Sequence, residues 1–183
     1  MSEKIAGVVK GLEGAIRAFK SAEVEDTRIF PIYGEYLVAL KLAQFGFDAE
    51  VVNKRSYDIL LNGKSRIEVK TGKYEGGGTA ASFGEGEQIK DAKFDYCIFV
   101  SYERLEVKEI LVFTRKELEE VALKPRGSPV VRYPKNNPCI LLRFGSLNDY
   151  LNNMKGLEKL DIELELHKHP DRFLNRWDKV KET

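Results

Sequence analysis

The sequence predicts an α/β fold, and three observations carry that expectation. Residues 3–20 and 31–46 repeat apolar side chains at helical spacing. Residues 57–70 read as two short β-type runs around Asn62-Gly63, and residues 94–100, Phe-Asp-Tyr-Cys-Ile-Phe-Val, are the strongest buried-strand signal in the chain.

Composition bounds the class. With 183 residues the chain is long enough for one well-buried domain, and 43% hydrophobic with 32% charged content describes a folded protein rather than a disordered one. A net charge of +1 gives no global attraction to nucleic acid, so any such surface must come from local segregation of charge. Cys97 and Cys139 lie in apolar runs without the paired spacing of a zinc site, which predicts buried free thiols in a reducing compartment. No stretch approaches the roughly 20 apolar residues of a membrane span. Residues 1–20 mix acids with bases and lack an unbroken apolar core, so no signal peptide is expected and a cytoplasmic location is.

Taken in order, Ile5, Val8, Val9, Leu12, Ile16 and Phe19 form one stripe of an amphipathic helix over residues 3–20, a packing helix first and a dimer contact second. Gly7, Gly11 and Gly14 weaken it or admit a close neighbour. After an acidic break at residues 23–26, a second helix is expected to start at Pro31 and end at Gly46, burying Tyr33, Tyr36, Leu37, Leu40 and Ala43 or Phe47. Glu35 falls in its first turn, where the helix dipole would stabilise a carboxylate. Residues 49–53 read as a short strand.

The hairpin at residues 57–70 is the informative element. Alternation puts Ile59, Leu61, Ile67 and Val69 on one face, and Asp58, Glu68 and Lys70 on the other. A two-residue loop would pair Asp58 with Ile67 and send the two carboxylates to opposite faces. A three-residue loop of Asn62, Gly63 and Lys64 pairs Asp58 with Glu68 and keeps the aliphatics together, so the odd loop or an equivalent bulge is expected. The two carboxylates then stand with Cβ atoms roughly 5 Å apart. They repel unless a proton or a cation lies between them. Mg2+, with Mn2+ as an alternative, suits such oxygen donors and takes only one or two protein carboxylates. Lys70 on the same face would orient or help deprotonate an attacking water, which is a layout for phosphodiester hydrolysis.

Residues 71–87 contain six glycines and few aliphatics and are expected to form a long mobile loop, with Glu75, Glu85 and Glu87 arguing against a phosphate cradle. A helical turn over 88–93 precedes the strand at 94–100. Residues 109–113 read as a strand, and Thr114 caps a helix to Glu119 or Leu123 with Glu117 in the capping-box position. Residues 124–138 hold Lys124, Arg126, Arg132, Lys135 and four prolines but no acid, a charge run suited to backbone phosphates. A strand at 139–144 and a helix at 147–157 follow. Residues 159–183 read as an added strand and helix, or as an arm on a second subunit. His167 and His169 are expected to face water.

Asp58 followed by Glu68-Val69-Lys70 resembles the PD-(D/E)xK motif of the restriction-endonuclease-like nucleases, with Tyr57 where the motif's name has Pro. The resemblance covers residues 31–100. It implies a restriction-endonuclease-like core, a mixed central sheet flanked by helices with C-terminal additions, over one nuclease-like domain at 1–183. Within that domain, 1–28 is an N-terminal helix and 29–100 the catalytic core; 101–183, which the resemblance leaves unexplained, reads as additional strands and helices, candidates for recognition or dimerisation elements. It also implies that Asp58, Glu68 and the Val69 carbonyl hold Mg2+, that Lys70 positions the water, that Glu35 completes the metal shell, and that Gln88, or else Lys90, leans into the site. The activity implied is a metal-dependent DNA endonuclease, with a Holliday-junction resolvase or repair nuclease as the alternative within the fold. A catalytically silent nucleic-acid-binding or assembly subunit is the alternative from another class. DNA contacts are expected from Lys73, Lys90, Lys124, Arg126, Arg132 and Lys135. A homodimer is expected because cutting two strands calls for two sites.

Overall fold

A computed structural model of the chain describes residues 2–23, 28–54, 56–75, 78–85, 93–122, 131–132, 139–145 and 173–181. They form an α/β structure built on one mixed sheet. Its centre has the order β1 (Ala49–Lys54), β2 (Tyr57–Leu61), β3 (Ser65–Glu75), β5 (Tyr96–Glu103) and β6 (Glu106–Thr114). β3 and β5 run parallel, and the other neighbours in this set run antiparallel. β4 (Gly78–Glu85) pairs with the far end of β3 and continues the sheet through β8 (Cys139–Gly145) to the short β7 (Val131–Arg132).

The hairpin register fits the odd-loop expectation. Ile59 pairs with Ile67, Leu60 with Arg66 and Leu61 with Ser65, leaving Asn62, Gly63 and Lys64 as the loop. Asn62 and Gly63 adopt φ of 49° and 70°, the left-handed region that Asn and Gly enter at least cost. Asn62 further ties the loop to Asp48: its N–H donates to the Asp48 carbonyl and its Oδ1 accepts from the Asp48 N–H, both at 2.7 Å. Ile59, Leu61, Ile67 and Val69 are all buried, as the alternation predicts.

α1 (Ser2–Ser21) and α2 (Ile29–Gln44) cover the face carrying those four side chains. Ile5, Val9 and Ile16 of α1 are buried in this core, so the helix's stripe is used within the chain. Among the described residues, Gly7 and Gly11 have open space where a Cβ would stand, so no close neighbour there explains them. α2 starts at Ile29, two residues before the expected Pro31, which sits in a first turn whose N–H groups lack intrahelical partners anyway. It ends in a Schellman turn at Gly46, φ 89°, with Phe47 N–H bonded to Leu42 O and Gly46 N–H to Ala43 O. Its buried positions are Phe30, Tyr33, Gly34, Val38, Ala39 and Leu42, while Tyr36, Leu37 and Leu40 are only partly covered. The expected stripe thus rotates, because α2 lies between α1 and the sheet and is covered on more than one side.

On the opposite face Phe99 and Phe113 are fully buried, Phe113 stacks on Phe173 at 4.3 Å, and Leu118 of α3 (Arg115–Ala122) is fully buried. Burial on both faces explains the unbroken apolar reading of β5. Thr114 and Glu117 form the expected capping box, Thr114 N–H donating to Glu117 Oε2 at 3.0 Å and Glu117 N–H to Thr114 Oγ1 at 3.3 Å. Residues 173–181 pack on their own chain: Leu174 bridges Leu111, Val112 N–H donates to Phe173 O, and a 3-10 turn at Trp177–Lys179 follows. They cover the β6 edge, which would otherwise offer open backbone groups.

The long loop expected at 71–87 is corrected. β3 runs on to Glu75, and Gly78–Glu85 is a strand paired with β8 from Gly78↔Gly145 to Glu85↔Cys139. Glycine-rich composition disfavours a strand locally, but ladder bonds to two neighbours override it. Within the basic run, Val131 pairs with Leu142 and Arg132 with Leu141. The turn expected before Lys93, the helix at 147–157 and His167 and His169 lie outside the described residues.

Candidate functional site

The site forms where β3 loses a neighbour. Ile67 pairs with both Ile59 and Tyr96, and Lys73 with both Ala80 and Tyr102, so β2 and β4 share one edge of β3 while β5 takes the other. On that shared edge β2 pairs with residues 65–67 and β4 with 73–75. Among the described residues, 68–72 therefore have no strand beside them there. The notch falls on Glu68, Val69 and Lys70.

Asp58 reaches into it. Its Oδ2 accepts the Val69 N–H at 2.7 Å, substituting for the ladder bond that β2 no longer makes. In an extended chain the N–H and C=O of one residue point to the same edge, so the Val69 carbonyl also faces the notch. Glu68 and Lys70 alternate to the face opposite Val69, and their side chains form a direct ion pair, 13% and 29% exposed respectively. Cys97 of β5 pairs in register with Glu68, so its fully buried side chain lies on this same face.

α2 supplies Glu35. A Cβ on the preceding Gly34 would come 2.5 Å from Thr71 Cγ2 and 3.7 Å from Val69 Cγ1, so the helix lies directly on β3 at this point and only glycine allows it. Helix and strand therefore approach one another where Glu35 acts on the other acids. Glu35 is in the second turn of α2, since the helix starts at Ile29, so the expected first-turn dipole effect does not account for it.

The electrostatics tie the four groups together. Burial, then the charges of Asp58 and Glu68, push Glu35 up to about 7. Burial and Glu68 push Asp58 up to about 6, against the opposing Val69 N–H and Lys70. Burial alone would lower Lys70, but Glu68 outweighs it and the ammonium is held above its ordinary value. Held protonated, Lys70 presents hydrogen-bond donors to the notch, which suits the orienting role among those expected of it. Burial pushes the Cys97 thiol well up, leaving it neutral.

Three acids and one lysine thus meet; burial raises two of the carboxyls first, and the excess negative charge adds to it. Among the described residues no three His, Cys, Asp or Glu side chains are gathered closely enough to hold a metal ion by themselves. The donor set that remains, two carboxylates with a neighbouring backbone carbonyl, is the chemistry Mg2+ accepts while keeping its waters. A zinc-type cage it is not.

The structure brings together Glu35, Asp58, Glu68, Val69 and Lys70. Lys73 lies on β3 and Arg132 on β7. Gln88, Lys90, Lys124, Arg126 and Lys135 lie outside the described residues. Cys97 is the buried free thiol that its apolar run predicts, but its place beside Glu68, like the close approach at Gly34, was not legible, because the parallel β3–β5 register and the helix–strand contact leave no local sequence signal. No protein-family model matches the chain, and no curated protein does.

Proposed function

We propose that the chain is a Mg2+-dependent endonuclease that hydrolyses phosphodiester bonds in DNA, on a core of the restriction-endonuclease-like kind. The observation that carries this is the convergence of Asp58, Glu68, Lys70 and Glu35 on the notch in the β3 edge, with Glu68 too enclosed for a solvent-screened surface pair. Asp58 and Glu68 would hold the ion with the Val69 carbonyl, and Glu35 would complete the shell through water. Mn2+ would fit the same donors. When bound, the cation offsets charge on the attacked phosphodiester and makes a nearby water more acidic.

The chain's own residues then have distinct roles. The Asp58 carboxylate is fixed by the Val69 N–H, so its orientation is set before any ligand arrives. Lys70, anchored on Glu68 and kept protonated, donates to the attacking water and orients it toward phosphorus. Glu35, from the helix side, contributes a carboxylate whose charge is favoured once positive charge enters the notch. A homodimer would bring two such sites to opposing strands of a duplex.

The test is cleavage, with Mg2+, of linear duplex, supercoiled plasmid, single-stranded and four-way-junction DNA. Cleavage by the wild type supports the reading, and the preferred substrate chooses between a restriction-like enzyme, a resolvase and a repair nuclease. Intact DNA binding with no cleavage of any substrate would leave the silent binding subunit in its place.

A further inference from the structure

The residue before Asp58 carries a second feature. Lys54 Nζ and the Arg66 guanidinium carbon each lie 5.6 Å from the centre of the Tyr57 ring. Lys54 and Tyr57 are paired across β1 and β2 just beyond an irregularity in that ladder, and Arg66 comes from β3, so three strands deliver the group. Lys54 and Arg66 are exposed. Among the described residues neither makes an ion pair. The nearby Asp95 carboxylate accepts the Arg66 backbone N–H at 2.8 Å, and the guanidinium donates to the Lys93 carbonyl at 3.4 Å.

Two cations gathered at one ring repel each other, which an exposed surface tolerates but an anion bound beside them relieves. Both cations lie over the ring, so the group offers charge before it offers a bare ring to stack on. Such a group recognises phosphate, not sequence. We propose that Lys54, Tyr57 and Arg66 form a clamp for the phosphate backbone of a DNA strand, one residue along β2 from Asp58. The clamp's role in cleavage rests on the nuclease reading above; its binding of DNA does not.

The experiment measures affinity for a short mixed-sequence duplex against salt concentration, with Mg2+, on a Glu68→Gln background. Replacing both cations, as K54A/R66A, is expected to weaken binding about tenfold or more and to reduce the slope of log K against log salt by about 2, one contact per cation. K54Q/R66Q, which keeps the alkyl stems, is expected to do the same. Tyr57→Leu is expected to weaken binding with the slope unchanged, since it removes the support and not the charge. Lys10→Ala on α1 is expected to change neither. Equal affinity and slope for both double variants and the parent would overturn the clamp, as would a parent that binds no DNA. Clamp-dependent binding by a chain whose native form cuts nothing would uphold the clamp and remove the nuclease reading alone.

Discussion

The Asp58 carboxylate accepts the backbone N–H of Val69 at 2.7 Å, so a side chain closes the ladder where β2 stops pairing with β3. The same contact fixes an acid beside Glu68 and caps a half-buried donor. Asp58→Ala is expected to leave that N–H without its partner and to destabilise the fold by about 1–3 kcal/mol. Asp58→Asn keeps an acceptor and is expected to cost less than about 1 kcal/mol while removing the charge. Urea denaturation of the two variants checks the difference, and activity lost in both separates the chemical role from the structural one.

Stability should depend on pH through Glu35 and Asp58. Folding raises the first from 4.5 to about 7 and the second from 3.8 to about 6. Their contribution is therefore full below pH 3.8 and is lost as pH rises through about 6 and about 7. After discounting for partial exposure, Glu35→Gln is expected to gain about 1–2 kcal/mol over the wild type at pH 8 without metal, and little at pH 4. Denaturation at both values in EDTA measures it. Added Mg2+ is expected to narrow the gap at pH 8, since a cation in the notch removes the repulsion.

Gly34 sets the distance between α2 and β3. Gly34→Ala gains helix propensity of about 1 kcal/mol, but its Cβ meets Thr71 Cγ2 at 2.5 Å on a short, β-branched side chain that cannot swing clear. A net loss of about 1–3 kcal/mol is expected. Thr71→Ser removes that methyl, so the double variant G34A/T71S is expected to recover most of the loss, a non-additivity that a double-mutant cycle reads directly.

Glu117 joins two structures. It closes the capping box on Thr114 and pairs with Lys179 Nζ at 2.9 Å, tying residues 173–181 to α3. Burial would raise its carboxyl, but Lys179 and Thr114 outweigh this and hold it below the ordinary value. Its contribution is present above the usual carboxylate range and lost as pH falls through the lowered value. Glu117→Ala is expected to cost about 1–3 kcal/mol at pH 7, by thermal denaturation, and less at pH 3.

The parts of the fold legible in the sequence are those where a local rule decides. Only an odd loop puts Ile59, Leu61, Ile67 and Val69 on one side, and that parity also places Asp58 opposite Glu68. The Thr114–Glu117 spacing carries its own capping chemistry. What was not legible depends on partners distant in sequence. Gly78–Glu85 is a strand because β8 lies beside it, not because Gly-Thr-Ala-Ala-Ser-Phe-Gly-Glu prefers to be one. The buried side of α2 is set by α1 as well as by the sheet, so one amphipathic stripe misplaces it. Gly34 reads as an ordinary helix residue until Thr71 appears beneath it.

The central claim is that Glu68 and Lys70 act together on a phosphodiester with a divalent cation. Its most direct test is the Mg2+-dependent cleavage rate of the preferred DNA substrate by the wild type, Glu68→Gln and Lys70→Met, with melting temperatures recorded alongside. The account predicts cleavage by the wild type, none in EDTA, and a loss of at least about a hundredfold in each variant at near-native stability. Cleavage that survives both substitutions would place the chemistry elsewhere and contradict it.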